Sequence, residues 1–93
     1  MALFDLLGRR WTLRVLWELR AGPLTFRDLQ ERCDAMSPSV LNLRLAELRD
    51  GQLVENSDDG YRMTARGTEL LTLFEPVNRW AEGWARGLKG SRK

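Results

Sequence analysis

No histidine occurs in the 93-residue chain, and there is only one cysteine, Cys33. The first absence excludes imidazole acid–base chemistry and imidazole metal ligation. With it goes a zinc site, since a lone thiol supplies one of about four ligands. A single cysteine forms no intramolecular disulfide, which fits a reducing, cytoplasmic setting. No apolar run approaches the roughly 18–20 residues of a membrane span, and no basic-then-apolar leader with a cleavage site is present. There is no recognisable nucleophile–base pair, so the chain is not expected to be an enzyme, and no cofactor is expected. Lysine is scarce too: two Lys stand against thirteen Arg, and the net charge is only +2. Arg forks suit phosphates and guanine edges, although a G- and C-rich genome produces the same bias.

Aromatic residues are plentiful by contrast, with four Trp and three Phe. A chain this short is expected to form one domain, 1–93, and to bury only about 60–65% of its unfolded surface. Trp80 and Trp84 sit near the C-terminus, where a small core covers them least. Burial against a second subunit is therefore expected. No internal repeat or low-complexity segment occurs.

Turn residues divide the chain into short elements: Gly22-Pro23, Ser37-Pro38, Gly51, Asp58-Asp59-Gly60 and Pro76. The expected fold class is mainly α with a small β-hairpin (α+β), a winged helix-turn-helix with an added C-terminal dimerisation helix. A first helix is expected over 3–20, loosened at Gly8, with Leu13, Leu16, Trp17 and Leu19 on its apolar face. Thr25, with Asp28 three residues later, resembles a capping box and opens a helix over 25–33 with Phe26 and Leu29 inward. Residues 34–36 form the turn. Ser37 follows as N-cap, with Pro38 at the first helical position. That helix spans 37–50, and Leu41, Leu45 and Leu48 are its buried stripe. A hairpin is expected over 53–63, turning at Asp59-Gly60. Helices over 65–74, capped by Thr64, and over 76–88 complete the chain, with residues 90–93 fraying.

In a helix-turn-helix pair the second helix lies in the major groove. At about 100° per residue, the face opposite the buried stripe of the 37–50 helix carries Ser39, Asn42, Leu43 and Ala46. Asn42 suits adenine, Ser39 a base edge or phosphate, and Leu43 a thymine methyl. Ser37 stands at a helix N-terminus whose free N–H groups suit phosphate. Arg44 and Arg49 flank the stripe, within reach of phosphates or of Glu47 and Asp50. Thr25 and Arg27 begin the preceding helix, which usually crosses the backbone. Arg62 alternates outward on the hairpin, toward the minor groove or phosphate. Arg9 and Arg10 add a small basic cluster. The wing tip, Ser57-Asp58-Asp59-Gly60, is acidic. It is expected to point away from DNA or to contribute little, giving modest affinity per subunit.

Leu70, Leu73, Phe74, Val77, Trp80, Ala81, Trp84 and Leu88 recur at three- and four-residue steps, the spacing of a helix-packing seam. Packing onto the monomer's own core and packing between subunits both fit that spacing. The size of the apolar strip near a chain end favours the second. Leu3, Phe4, Leu6, Leu7 and Trp11 are expected to join it. Cys33, between Arg32 and Asp34, reads as structural rather than as a thiol sensor.

The hexapeptide Gly8-Arg9-Arg10-Trp11-Thr12-Leu13 resembles the Gly-x-Lys-Trp-Thr-Leu opening of the HxlR-type family of bacterial winged helix regulators. The likeness continues through Leu16, Leu19, Gly22-Pro23-Leu24 and Phe26-x-x-Leu29. It includes Ser37, Leu41-x-x-Arg44-Leu45-x-x-Leu48 and Leu53-Val54-Glu55. Tyr61-x-Met63-Thr64-x-x-Gly67 is similar to the family's Tyr-x-Leu-Thr-x-x-Gly signature, and Trp80 falls where the family carries a Trp. The span is roughly 6–85. The resemblance implies a homodimeric transcription regulator on a palindrome-like operator, with dimer contacts from the first and last helices. The chain departs from the family in four places. A redox-reactive Cys-Pro near the N-terminus is absent, and position 10 is Arg rather than Lys. Gly51 falls one residue before the family's turn Gly, and the wing is shorter and more acidic. The expected partners are double-stranded DNA and a second copy of the chain, with no membrane, and the expected mode is repression by occlusion. Two other readings stay open. One is a winged helix for protein–protein contact, which a neutral or negative recognition face would favour. The other is a regulator sensing a small effector between the core and the Trp-rich interface.

Overall fold

The computed structural model describes residues 2–91, with side chains over residues 3–89. Four helical segments lead: α1 (Ala2–Leu7), α2 (Thr12–Glu18), α3 (Phe26–Arg32) and α4 (Pro38–Asp50), with a 3₁₀ turn at Leu19–Ala21 after α2. A hairpin of β1 (Val54–Ser57) and β2 (Gly60–Met63) follows, then α5 (Ala65–Leu73) and α6 (Glu75–Ser91). This is the winged helix-turn-helix expected from the turn residues, with the hairpin as wing. Of the residues expected to fray, 90 and 91 continue α6, and 92–93 lie outside the described residues.

The core is one cluster. Val15, Leu16 and Leu19 meet Leu29 of α3, Leu41, Leu45 and Leu48 of α4, and Leu53 and Val54 at the wing's base. Each fully buried Leu contributes about 1.5–3 kcal/mol of transfer free energy. The first helix differs from expectation. Leu13 and Trp17, placed on its apolar face, are partly exposed, and the inward positions are Thr12, Val15, Leu16 and Leu19. The helix over 3–20 is also broken: α1 ends at Leu7, its last turn closed by Gly8 N–H to Phe4 O at 2.8 Å, and the interruption runs from Gly8, where loosening was expected, to Trp11. The break ends on Trp11, at φ 79°, a left-handed conformation that bulky side chains rarely adopt.

Both ends of the helix-turn-helix close by the same device. At the end of α3, Asp34 N–H bonds Glu31 O and Ala35 N–H bonds Gln30 O. At the end of α4, Gln52 N–H bonds Arg49 O and Leu53 N–H bonds Leu48 O. These pairs are Schellman closures, which put one residue in the left-handed region where Gly is usual. Here those residues are Asp34 (φ 61°), followed by a second left-handed residue, Ala35 (φ 54°), and Gln52 (φ 61°), whereas Gly51 is in ordinary helical conformation. The left-handed residue therefore follows Gly51, where the family's turn glycine would stand.

The wing also departs from expectation in two places. Ser57 pairs with Gly60, so the turn residues are Asp58 and Asp59, not Asp59 and Gly60. Gly60 opens β2 at φ 118°, with Leu24 O so close that a Cβ would overlap it. That approach allows a third short strand segment: Leu24 and Tyr61 exchange both backbone bonds, at 3.0 and 2.8 Å. Below the wing, Thr64 accepts from Gly67 N–H at 3.0 Å and donates to Gln52 O at 2.7 Å. A Cβ on Gly67 would lie 2.2 Å from Leu53 O. The Thr-x-x-Gly spacing is thus a helix cap seated directly against Leu53, the residue before the wing's first strand.

Two backbone substitutions should move stability in opposite directions. Gln52→Gly removes a left-handed penalty of about 1–2 kcal/mol, less the added chain entropy of Gly. The melting temperature should rise by a few degrees. Gly67→Ala should lower stability by about 2 kcal/mol or more, because the Cβ meets backbone rather than a mobile side chain. Thermal melts by circular dichroism read both, and an unchanged Gly67→Ala melt would remove the proposed close packing of α5 on Leu53.

Candidate nucleic-acid interface

The buried stripe of α4 dictates what the helix shows outward. Ser39 and Asn42 are exposed, Leu43 is 52% exposed and Ala46 is half-buried. This face carries no charge between Ser39 and Ala46. Ser37 occupies the N-cap without capping through its side chain; its hydroxyl shares a 2.9 Å hydrogen bond with that of Ser39. The expected side-chain cap is therefore absent, and the two hydroxyls stand together at the start of α4. Thr25 does cap α3, accepting from Asp28 N–H at 3.1 Å. Next to it Arg27 extends into solvent, with only a loose 3.6 Å contact to Glu31.

The other candidate arginines are more committed. Arg44 is the clearest case. Its Nε donates to Arg10 O at 2.7 Å, its Nη1 to Glu47 at 2.8 Å, and its side chain is only 13% exposed. A guanidinium held this way clamps the α1–α2 break against α4, with two of its nitrogens already engaged within the chain. Glu47 also takes Arg9, at 3.2 Å, so one carboxylate gathers both sides of the clamp. Arg49 donates to Asn56 at 3.2 Å and lies over the Tyr61 ring, joining the end of α4 to the wing. Arg62 pairs with Glu55 directly across the hairpin at 2.7 Å. With Asp58 and Asp59 exposed, the wing holds three carboxylates against one guanidinium. The cations beside the outer face of α4 are thus Arg27 and Arg49.

Two positioning residues are not apparent from the sequence pattern. Gln30 Nε2 donates to Met36 O at 2.9 Å, bracing α3 against the start of α4. Arg14 donates to Arg32 O at 2.7 Å and pairs with Glu18 and Asp34, tying α2 to the turn. Both act between segments distant in sequence or turned away from the helical period, so periodicity does not reveal them. Cys33 is fully buried, and desolvation pushes its thiol pKa up.

The second candidate surface is apolar. Along α6, Val77, Trp80, Trp84 and Leu88 are exposed, Trp80 at 67%, and the two indoles stack with centroids 5.8 Å apart. Leu3 and Phe4 of α1 are also exposed, Leu7, Phe74 and Ala81 are half-buried, and Leu73 is exposed beside them. Trp11, Leu6 and Leu70, expected to belong to the seam, pack against the chain's own core. The Cα radius of gyration is 14.8 Å, against about 12 Å for a compact domain of this length. The excess reflects α6 projecting with one apolar face uncovered. Among the described residues, no helix is long and apolar enough to cross a membrane.

A helix-turn-helix with an uncharged reading face, flanking cations and a hairpin wing defines a DNA-binding module of the winged helix class. The chain belongs to the HxlR-like helix-turn-helix family, whose model matches residues 6–88. It is 31% identical to the HTH-type transcriptional regulator YodB of Bacillus subtilis over 86 residues, covering 85% of this chain and 77% of that protein. A quinone-bound crystal structure of YodB superposes with TM-score 0.82 at 33% identity, over 88% of this chain and 93% of that one. An HTH-type regulator of Methanocaldococcus jannaschii is 30% identical over 88 residues, 90% of this chain and 83% of the other. The protein is a helix-turn-helix transcriptional regulator.

Arg44→Ala should lower folding stability by about 1–2 kcal/mol, the loss of two charge-assisted bonds. Arg44→Lys should not restore it, because an ammonium lacks the planar fork that serves both partners. Urea denaturation measures this. Unchanged stability with weakened DNA binding would return Arg44 to the phosphate-contacting set.

Proposed function

We propose that this regulator binds an operator as a homodimer, placing the two α4 helices in successive major grooves about 34–36 Å apart, and represses by occluding the promoter. The observation that supports this most is the outward face of α4. Ser39, Asn42 and Leu43 offer an amide, a hydroxyl and an apolar contact of the kinds that read base edges. Thr25, Arg27, Ser37 and Arg49 flank them at positions suited to phosphate. The wing, with Arg62 already paired to Glu55, serves as a brace and contributes little to affinity. Family membership favours this over a protein–protein role, and the named relatives, being regulators, are consistent with a non-enzymatic chain.

Homodimerisation is supported by the uncovered α6 seam with Trp80 and Trp84, joined by Leu3 and Phe4. A solved form of YodB holds a quinone, which raises electrophile sensing for this chain as well. Capture of an electrophile by a thiol requires an accessible, low-pKa cysteine. Cys33 is buried with its pKa raised, so effector sensing here is better supplied by non-covalent binding.

Selection from a randomised duplex pool tests the reading. The natural protein should enrich a palindrome and bind it in a salt-sensitive manner. Asn42→Ala should relax preference at one position per half-site by about 1–3 kcal/mol, whereas Arg27→Ala should weaken all sequences alike. Failure to enrich any duplex would sink the proposal. Trp84→Glu should convert a dimer to a monomer in sedimentation velocity and weaken operator binding with it. A natural protein that sediments as a monomer at micromolar concentration would remove the dimer from the mechanism.

A further inference from the structure

Between α2 and the C-terminal helices lies a cavity of about 420 Å³, within the usual range for a small-molecule site. Trp17, Met63 and Leu71 supply its apolar walls, and two guanidinium groups, Arg20 and Arg79, line it. Arg20 stacks on the Trp17 indole, 3.7 Å from the ring centroid, and is pinned there by a 2.9 Å bond from its Nη1 to Trp17 O. Such stacking fixes the plane of the fork and leaves its other N–H groups available. Arg9, Arg14, Arg27, Arg44 and Arg62 each pair with a carboxylate, but Arg20 and Arg79 form no ion pair among the described residues. One carboxylate, Glu75, lines the same cavity. Two cations against one anion leave a single positive charge to be matched.

We propose that this cavity is an effector site for a planar monocarboxylate. The flat apolar body packs on Trp17, Met63 and Leu71, and the carboxylate is forked by Arg20 and Arg79. Glu75 disfavours ligands of higher negative charge, and the Asn78 amide offers a further polar contact at the rim. The inference rests on the reading of the chain as a regulator and specifies what regulates it. The cavity walls belong to the DNA-binding core on one side and to α5 and α6 on the other. A ligand held there sets the angle of α6 to the body, and with it the spacing of two recognition helices. The site also leaves the seam free. At about 100° per residue, Glu75, Asn78 and Arg79 lie on a different side of α6 from Val77, Trp80 and Trp84.

Isothermal titration of the natural full chain with 2-naphthoate, and with naphthalene-2-carboxamide as its uncharged isostere, tests the site. The carboxylate should bind, and the amide should bind at least tenfold more weakly. Arg79→Met and Arg20→Met should each weaken the carboxylate at least fivefold, with unchanged circular dichroism. Arg79→Met should leave ligand-free DNA affinity intact. Saturating 2-naphthoate should shift the affinity of the natural protein for its selected duplex at least threefold. No binding at millimolar ligand, equal binding of the amide, or indifference to both variants would overturn the site. An unshifted DNA affinity would overturn the effector role. If no duplex is bound at all, the DNA-binding proposal fails, while calorimetry still decides whether the cavity takes a carboxylate.

Discussion

The burial of Leu41, Leu45 and Leu48 is the constraint on which the rest of the molecule depends. All three are essentially inaccessible, and they hold α4 against α2 and the first wing strand. Truncating one such Leu to Ala typically costs about 2–5 kcal/mol, a large fraction of the roughly 5–15 kcal/mol that stabilises a domain. A stripe fixed this firmly inward leaves no choice about the opposite face. Asn42 and Leu43 are outward because their neighbours three or four residues away are not. Core packing and reading face are therefore one property of one helix.

Around that helix the arginines serve mainly as framework. Arg44 joins α4 to the break before α2, Arg14 joins α2 to the helix-turn-helix turn, and Arg49 joins α4 to the wing. Gln30 does similar work between α3 and α4. These ties add polar links between segments that the apolar core also joins. An Arg-rich composition is thus weak evidence for an Arg-rich DNA surface. The guanidinium suits backbone carbonyls as well as phosphates, and in this chain several are already engaged before any DNA arrives. The cation that remains most open beside α4, Arg27, lies on the helix that precedes the reading helix.

The helices of the motif, the stripe and the wing were legible in sequence because each has a local signature: a period of 3.6, an alternation of 2, or a turn dipeptide. What was not legible depends on partners far along the chain. The break at Trp11 is stabilised by Arg44, 34 residues from Arg10, and no window of neighbouring residues reports that bond. The same bond engages the guanidinium of Arg44, whose position on the helix by itself suits a phosphate. The turn at Asp58 and Asp59 was misplaced by one residue because Gly60 looks like a turn residue. Gly60 is needed instead for its close approach to Leu24. At the end of α4, Gly51 suggested the closure, but the left-handed residue is Gln52. Composition shows that a glycine is present, and only geometry shows which position needs it.

The position of α6 is determined differently from that of α4. Its 17 residues span about 26 Å, and its main contact within the chain is with α5. One side carries the stacked Trp80 and Trp84, and another borders the cavity facing Trp17. Unlike α4, it has no stripe sunk into the core to fix its angle, so its orientation responds to whatever covers either side. In a dimer joined through α6, that angle sets the distance between the two reading helices. Contact between the two copies and occupancy of the cavity then act on one structural variable. On the proposed dimer and effector site, DNA binding is tuned without altering the α4 face itself, which the leucine stripe holds in place.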